Sequence, residues 1–176
     1  MKKRYPRTLS SGANNTVIAI SETEVGKIFS GDTRSDIGSE AQKMKFANAI
    51  NDLVVKFIRL DELNEETEIL VMERVYPMDF RAYEQEKRIL WSEVFEDELI
   101  QLHKAGFAHR HLLRPSTINT IGEPPFDNIL LTQKGIRLID TGISALKEQV
   151  GEKLFARFVK QELEEFEKFR TYFLSR

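Results

Sequence analysis

Side chains that can bind a metal ion or transfer a proton concentrate between residues 102 and 142. In order, they are His103, His109, Arg110, His111, Asn128 and Asp140. Asn128 precedes and Asp140 follows a short apolar hairpin, in which residues 129–131 and 136–139 pair across a turn at 133–135. Because Asn128 and Asp140 flank the same two paired strands, an amide oxygen and a carboxylate oxygen can both face one metal ion. The hairpin therefore predicts a metal site.

The histidines of this stretch allow a second interpretation. His109 and His111 form an H-x-H pair, which on a strand would point two imidazoles to the same side. Together with His103 and Asp140, such a pair would suit a metal-dependent hydrolase. The pair lies in a loop, however, which argues against this interpretation.

Helices and strands on both sides must hold these residues in place. Trp91, Phe95, Leu99 and Leu102 share one helical stripe, which predicts a helix over residues 92–104, stopped at Gly106. A more polar helix is predicted over 79–90. Residues 116–126 are rich in Pro, Gly and Thr and predict a surface loop.

The first half of the chain is predicted to be mostly β. Strands are predicted over residues 16–20, 25–29, 53–60 and 68–75, with a turn-rich loop at 10–15 and a helix over 36–51 capped by Ser35 or Asp36. The character changes to helix near Pro77. The fold class is therefore α+β, with a small antiparallel sheet and one helix followed by a mostly helical half.

A phenylalanine-rich segment near the end of the sequence predicts a last helix over residues 151–173. Its apolar residues keep near-helical spacing: Leu154, Phe155, Phe158, Val159, Leu163, Phe166 and Phe173. Such a stripe indicates core packing. The alternative is a face that binds a protein partner.

Composition excludes several classes of protein. The 176 residues are 41% hydrophobic and 31% charged, which is typical of a globular domain. With 26 basic and 28 acidic residues, the net charge of −2 gives no electrostatic case for nucleic acid. There is no cysteine, and therefore no disulfide or thiolate site. No signal peptide or membrane span is expected, which predicts a cytoplasmic protein, although export as an effector stays open.

The order of these pieces resembles the protein kinase fold. LHKAGFAHRH at 102–111 resembles the helix end and catalytic loop of kinases, FDNILL at 126–131 resembles the strand that follows the metal-binding Asn, and IRLIDTG at 136–142 resembles the strand that leads to the DFG motif. The resemblance implies one bilobal domain, with an N-lobe over residues 1–75 and a minimal C-lobe over 76–176. In size it is similar to RIO-type and small bacterial effector kinases.

The resemblance also implies ATP and Mg²⁺ as cofactors and assigns residues to them. The implied nucleotide-binding residues are Gly12, Asn15 and Val17 in a phosphate loop, Lys27, Glu40, and the backbone of Glu73 and Val75 at the adenine. Lys27 would hold phosphates and Glu40 would fix its side chain. Asn128 and Asp140 would bind Mg²⁺, which prefers hard oxygen ligands and keeps several waters. Lys27, His111 and Asp140 are the implied catalytic residues, while His109 and Arg110 would be structural.

The sequence departs from the kinase pattern at several points. His111 stands where kinases carry the catalytic Asp, and Thr141 replaces the Phe of DFG. Asn128 follows His111 by 17 residues, whereas kinases place the Asn five residues after the Asp. Only 34 residues follow Gly142, too few for the usual activation segment and later helices.

Two functions follow from the resemblance. The first is a minimal ATP- and Mg²⁺-dependent phosphotransferase acting on a protein or a small hydroxyl compound, with neutral His111 as the base. The second is a pseudokinase, which binds nucleotide or acts as a scaffold. His111 cannot supply the negative charge of an Asp, and the last helix offers a surface for a protein partner.

Overall fold

A five-stranded antiparallel sheet forms the first half of the chain and a helical region forms the second. The computed structural model describes residues 5–11, 15–29, 36–113 and 126–175. The sheet contains β1 (Arg7–Ser11), β2 (Asn15–Ala19), β3 (Glu24–Phe29), β4 (Phe57–Asn64) and β5 (Thr67–Glu73), in the order β1-β2-β3-β5-β4. Helix α1 (Ile37–Asn48) lies between β3 and β4 in sequence. The predicted α+β class, with the sheet first and the helices after it, is confirmed.

Helix α1 is bounded by two polar side chains. The Asp36 carboxylate accepts the backbone N–H of Ser39 at 2.7 Å and caps the first turn. At the other end, the Asn48 side chain donates to Val54 O at 3.1 Å and accepts from Phe57 N at 2.9 Å. The helix therefore ends at Asn48, three residues before the predicted end, because Asn48 ties the chain to the strand that follows.

The predicted strand over residues 53–60 is wrong in its bounds. Leu53, Val54 and Val55 are buried, and this segment bonds to Leu138 instead of to the sheet, with Val55 N donating to Leu138 O at 3.0 Å and Leu138 N to Leu53 O at 2.7 Å. A continuous apolar run suits a segment enclosed on all sides. The sheet strand β4 begins afterwards, at Phe57, and extends to Asn64, beyond the predicted end at residue 60.

The helical region contains a 3₁₀ turn (Phe80–Ala82) and the remaining elements. These are α2 (Gln85–Ala105), β6 (Phe107–Ala108), β7 (Ile129–Thr132), β8 (Gly135–Leu138), β9 (Ala145–Leu146), α3 (Lys147–Val150) and α4 (Glu152–Leu174). The helix predicted over 79–90 is wrong before Gln85, where the chain forms the 3₁₀ turn, and its remainder joins the helix predicted over 92–104 in the single helix α2. The Ser92 hydroxyl donates to Ile89 O at 2.8 Å within the helix, so Ser92 does not begin a new one.

The core of the helical region lies between α2 and α4. The Phe95 ring is 5.2 Å from Phe166 and 5.5 Å from Phe169, both in edge-on contact. Phe155 and Phe173 are also buried. The phenylalanine stripe of α4 therefore packs in the core. No helix in the described part of the chain is long and apolar enough to cross a membrane.

Candidate active site

Lys27 and Glu40 form a buried ion pair between the sheet and α1. The Lys27 ammonium lies 2.9 Å and 3.1 Å from the two carboxylate oxygens of Glu40, and 3.4 Å from Asp140 Oδ1. Lys27 is 5% exposed and Glu40 is 1% exposed. Three candidate residues, distant in sequence, thus meet at one ammonium group, and Glu40 is not the solvated helix residue that its position in a first turn would also have allowed.

The two carboxylates around Lys27 differ in environment. Burial raises the pKa of Glu40, and the opposing attraction of the Lys27 ammonium does not cancel this effect. Burial also acts on Asp140, but there Lys27, the Gly142 N–H and His111 outweigh it and hold the pKa of Asp140 below its ordinary value. Asp140 is therefore ionised throughout the neutral range, as a metal-binding carboxylate must be.

Backbone geometry directs the Asp140 carboxylate toward Lys27. Asp140 has φ of 63°, in the left-handed region that Asp tolerates better than most residues. This turn lets Asp140 Oδ1 accept the backbone N–H of Gly142 at 3.3 Å. The next residue, Thr141, is buried, and its hydroxyl lies 3.5 Å from Glu40 O on α1.

Asn128 lies beside Asp140 because the β7–β8 hairpin continues one step beyond its last strand pair. Ile129 pairs with Leu138, and Ile139 N donates to Asn128 O at 3.0 Å. The Asn128 side-chain nitrogen donates to His111 O at 3.0 Å. No described donor bonds the amide oxygen, which is therefore the atom available to a metal ion.

His111 joins this group from the loop after β6. Its ring Nδ1 is 3.9 Å from Asp140 Oδ2, and its side chain is 24% exposed. The ring is thus beside the candidate metal-binding carboxylate and still open to solvent. This is the geometry required of a group that exchanges a proton with a substrate.

His109 and Arg110 both contact other parts of the protein. His109 is fully buried, with Nε2 2.8 Å from Ile139 O and Nδ1 3.3 Å from the backbone nitrogen of His111. A neutral ring with its proton on Nε2 satisfies both contacts, and burial lowers the pKa of His109 despite the nearby Glu162. The Arg110 guanidinium stacks on the Phe158 ring at 3.7 Å.

Sequence reasoning missed Glu162 and Glu165 on α4. Glu162 is 1% exposed; its Oε1 lies 2.9 Å from His103 Nε2 and accepts the N–H of His109 at 3.2 Å, while Oε2 accepts the N–H of Arg110. Glu165 accepts the N–H of Leu113 at 3.3 Å. The two carboxylates therefore hold the loop on both sides of His111.

A signal for these two glutamates was present in the sequence. Glu162 and Glu165 fall on the same helical face as Phe155, Phe166 and Phe169. An acidic residue inside an apolar stripe must find donors when the stripe is buried. The interruption of the stripe, rather than the stripe itself, was the informative pattern.

The proposed adenine-binding segment follows β5. The Glu73 N–H donates to Lys56 O at 2.9 Å, and the Glu73 side chain pairs with Arg137. Within the described residues, the Val75 N–H has no hydrogen-bond partner and remains available to a ligand. Of these two N–H groups, only that of Glu73 is already hydrogen-bonded within the described part of the protein.

The structure describes the predicted phosphate loop only in part. Val17 lies on β2 directly opposite Lys27 of β3. Asn15 begins β2. Gly12 lies outside the described residues, as do Ser35 and most of the predicted surface loop.

The hydrolase interpretation does not survive in the described part of the chain. No group of three or more His, Asp or Glu side chains is arranged there to hold a metal ion. His103 and His109 are instead bonded to Glu162 and Ile139. Both rings are therefore occupied by protein partners.

Comparison with known proteins gives the fold a precedent. By sequence, the chain matches no protein-family model and no curated protein. By structure, it is similar to the kinase PK-1 of Cydia pomonella granulovirus, with a TM-score of 0.57 and 15% identity, covering 80% of this chain. The chain spans about half of that kinase, 51% of its length. The protein therefore has a kinase-like α+β fold, with a small antiparallel N-lobe and a helical C-lobe.

Proposed function

We propose that this protein is a minimal ATP- and Mg²⁺-dependent phosphotransferase that acts on a protein or a small hydroxyl compound. Its single domain would divide into an N-lobe over residues 1–75 and a minimal C-lobe over 76–176. The observation that carries the proposal is the buried Lys27–Glu40 pair in contact with Asp140. Apolar residues in place of a buried ion pair often give equal or greater stability. Stability alone therefore does not explain this pair.

The residues present fit a nucleotide with its metal ion. The Lys27 ammonium is held by Glu40 and would bind phosphate oxygens. Asp140 would bind Mg²⁺ through a carboxylate, and Asn128 through its amide oxygen, which no described donor occupies. One carboxylate and one amide suffice because Mg²⁺ takes its other ligands from phosphates and water. Bound Mg²⁺ would supply charge neutralisation at the phosphates, the main requirement of phosphoryl transfer.

His111 would orient the substrate hydroxyl and accept its proton. A neutral imidazole can accept a proton in this role. Its partial exposure leaves room for a hydroxyl group to approach. Asn128, by donating to the His111 carbonyl, would link the position of this ring to the metal site.

A pseudokinase is the second candidate, and His111 is the observation that favours it. A neutral imidazole lacks the negative charge of the Asp that kinases carry in this position. Such a protein would bind nucleotide, or only a partner, and would act without transferring phosphate. The two candidates share the nucleotide site and differ only in turnover.

The first experiment tests nucleotide binding through thermal stability. Mg-ATP at 100 times its Kd should stabilise the protein by about 2.7 kcal/mol, and Asp140→Ala should abolish the rise in Tm. Asp97→Ala, at an exposed acidic residue of α2, is the matched control and should retain it. Absence of any Tm shift at millimolar Mg-ATP would refute both nucleotide-dependent functions.

The second experiment separates the enzyme from the pseudoenzyme. Purified protein with γ-labelled ATP should transfer or release phosphate, and Asp140→Ala should remove that activity. His111→Ala should lower turnover while the Tm shift with Mg-ATP persists. Binding without turnover in the wild type, together with turnover in His111→Asp, would identify a pseudokinase.

A further inference from the structure

A cavity of about 290 Å³ lies between the β7–β8 turn and the chain at the end of β5, and its wall includes Glu73 and Val75 of the proposed adenine-binding segment. Its walls include Glu73, Tyr76, Lys134 and Arg137. A smaller polar cavity of about 140 Å³ adjoins it and shares Lys134 and Arg137. Neither cavity contains a residue of the Lys27–Glu40–Asp140 cluster.

Arg137 is an unusual wall residue because it is buried and incompletely bonded. It is 3% exposed, and one terminal nitrogen, Nη2, pairs with Glu73 and lies 3.4 Å from Val54 O. The guanidinium Nε has no hydrogen-bond partner in the described part of the chain. Nε has almost no accessible surface, so a ligand in the cavity would contact another nitrogen of the Arg137 guanidinium.

The larger cavity is also positively charged. Arg74 and Lys134 line it, and neither pairs with a carboxylate in the described part of the chain. Glu73 is the single acidic residue among the described residues of the wall, and Arg137 already neutralises it. The Arg74 guanidinium lies 4.8 Å from the centre of the Tyr76 ring, which adds a flat, apolar surface to the cationic wall.

We propose that this cavity binds a small organic carboxylate in which one ring or short chain carries the charged group. Lys134 and Arg137 would supply the donors that the carboxylate accepts, and Tyr76 would pack against the apolar part. The volume is at the low end of the range of about 300–1,000 Å³ that is usual for ligand sites, which limits the ligand to about the size of a single substituted ring.

Occupation of the cavity would be linked to the candidate nucleotide site. The wall is formed by the segment that contains Glu73 and Val75, the residues proposed to contact adenine. Arg137 lies on β8, three residues before Asp140. This coupling rests on the proposed function, whereas binding of the carboxylate itself does not.

The experiment is a titration of ¹⁵N-labelled protein followed by amide shifts. Benzoate is the probe, benzamide is its uncharged counterpart of the same shape, and inorganic phosphate tests whether any oxyanion suffices. Benzoate should shift the amides of residues 73–78 and 132–137, with benzamide and phosphate each at least tenfold weaker. Equal binding of benzamide, stronger binding of phosphate, or shifts scattered over surface lysines would each overturn the proposal.

Two variants test the assigned donors. Lys134→Ala removes an exposed side chain and should weaken benzoate at least tenfold, while Lys153→Ala on α4 should change nothing. Arg137→Lys should also weaken benzoate binding. If that variant fails to fold, Lys134→Ala alone tests the proposal. An unchanged affinity of Lys134→Ala for benzoate would overturn the proposal. Failure of Mg-ATP to bind would refute the proposed function alone, because the benzoate shifts are measured without nucleotide.

Discussion

Glu162 should be one of the residues on which folding of this protein depends most strongly. Its fully buried carboxylate accepts hydrogen bonds from His103 Nε2 and from the N–H groups of His109 and Arg110. Glu162→Ala would leave these donors without an acceptor. Each unsatisfied buried donor costs about 1–3 kcal/mol, and the partly exposed members of the set can recover water, so the expected loss is about 3–5 kcal/mol.

A loss of this size is a large part of the total stability, which is about 5–15 kcal/mol for a typical domain. With an m value of about 2 kcal/mol/M, the urea midpoint should fall by roughly 2 M. Glu162→Gln should lie between wild type and alanine, at about 1–3 kcal/mol, because the amide keeps one acceptor oxygen and turns a donor toward a remaining N–H.

The assay is urea unfolding followed by far-UV circular dichroism, with Glu164→Ala as the control. Glu164 is exposed on the same helix, so both substitutions change helix propensity equally and only one removes the buried acceptor. Native-state hydrogen exchange should show faster exchange at His109 and Arg110 in Glu162→Ala. If Glu162→Ala and Glu164→Ala lose equal stability, the carboxylate does not anchor the loop.

Three further outcomes are expected from urea unfolding. Because the pKa of His109 is lowered, stability present above its unfolded value of about 6.5 should be lost as the pH falls through the folded value, and His109→Gln should remove that slope. Phe169→Ala, in the aromatic core, should cost about 3–5 kcal/mol, against little for half-exposed Leu154→Ala. Lys27→Met should lower the free energy of unfolding by about 3–5 kcal/mol at pH 8. The loss should be smaller at pH 5, because the unpaired Glu40 carboxylate can bind a proton there. The double variant Lys27→Met/Glu40→Leu should recover most of the loss.

The local parts of the site could be predicted because local patterns determine them. The β7–β8 hairpin follows from two short apolar runs around a turn, and the hairpin geometry brings Asn128 next to Asp140. The contact of Lys27 with Glu40 was expected only from the family resemblance, because no local pattern in the sequence pairs these two residues.

The bounds of β4 and α2 could not be predicted because tertiary contacts override local preference. Residues 53–55 have the composition of a strand, yet they bond to Leu138 of β8. A Ser within a helical pattern is typical of a helix start, but Ser92 bonds inside α2. In each case hydrogen bonds that the sequence does not reveal select the alternative.

The 17-residue separation of His111 and Asn128 shows why spacing is a weak guide to function in this fold. The chain on the His111 side is held by α4, where Glu165 binds Leu113 N. On the Asn128 side, the β7–β8 hairpin fixes the chain. With both ends anchored, the cost of a longer connection rises only slowly with its length, and Asn128 still bonds the His111 carbonyl at 3.0 Å. The constraint on this site therefore lies in its anchors, Glu162, Glu165 and the hairpin, and not in the number of residues between His111 and Asn128.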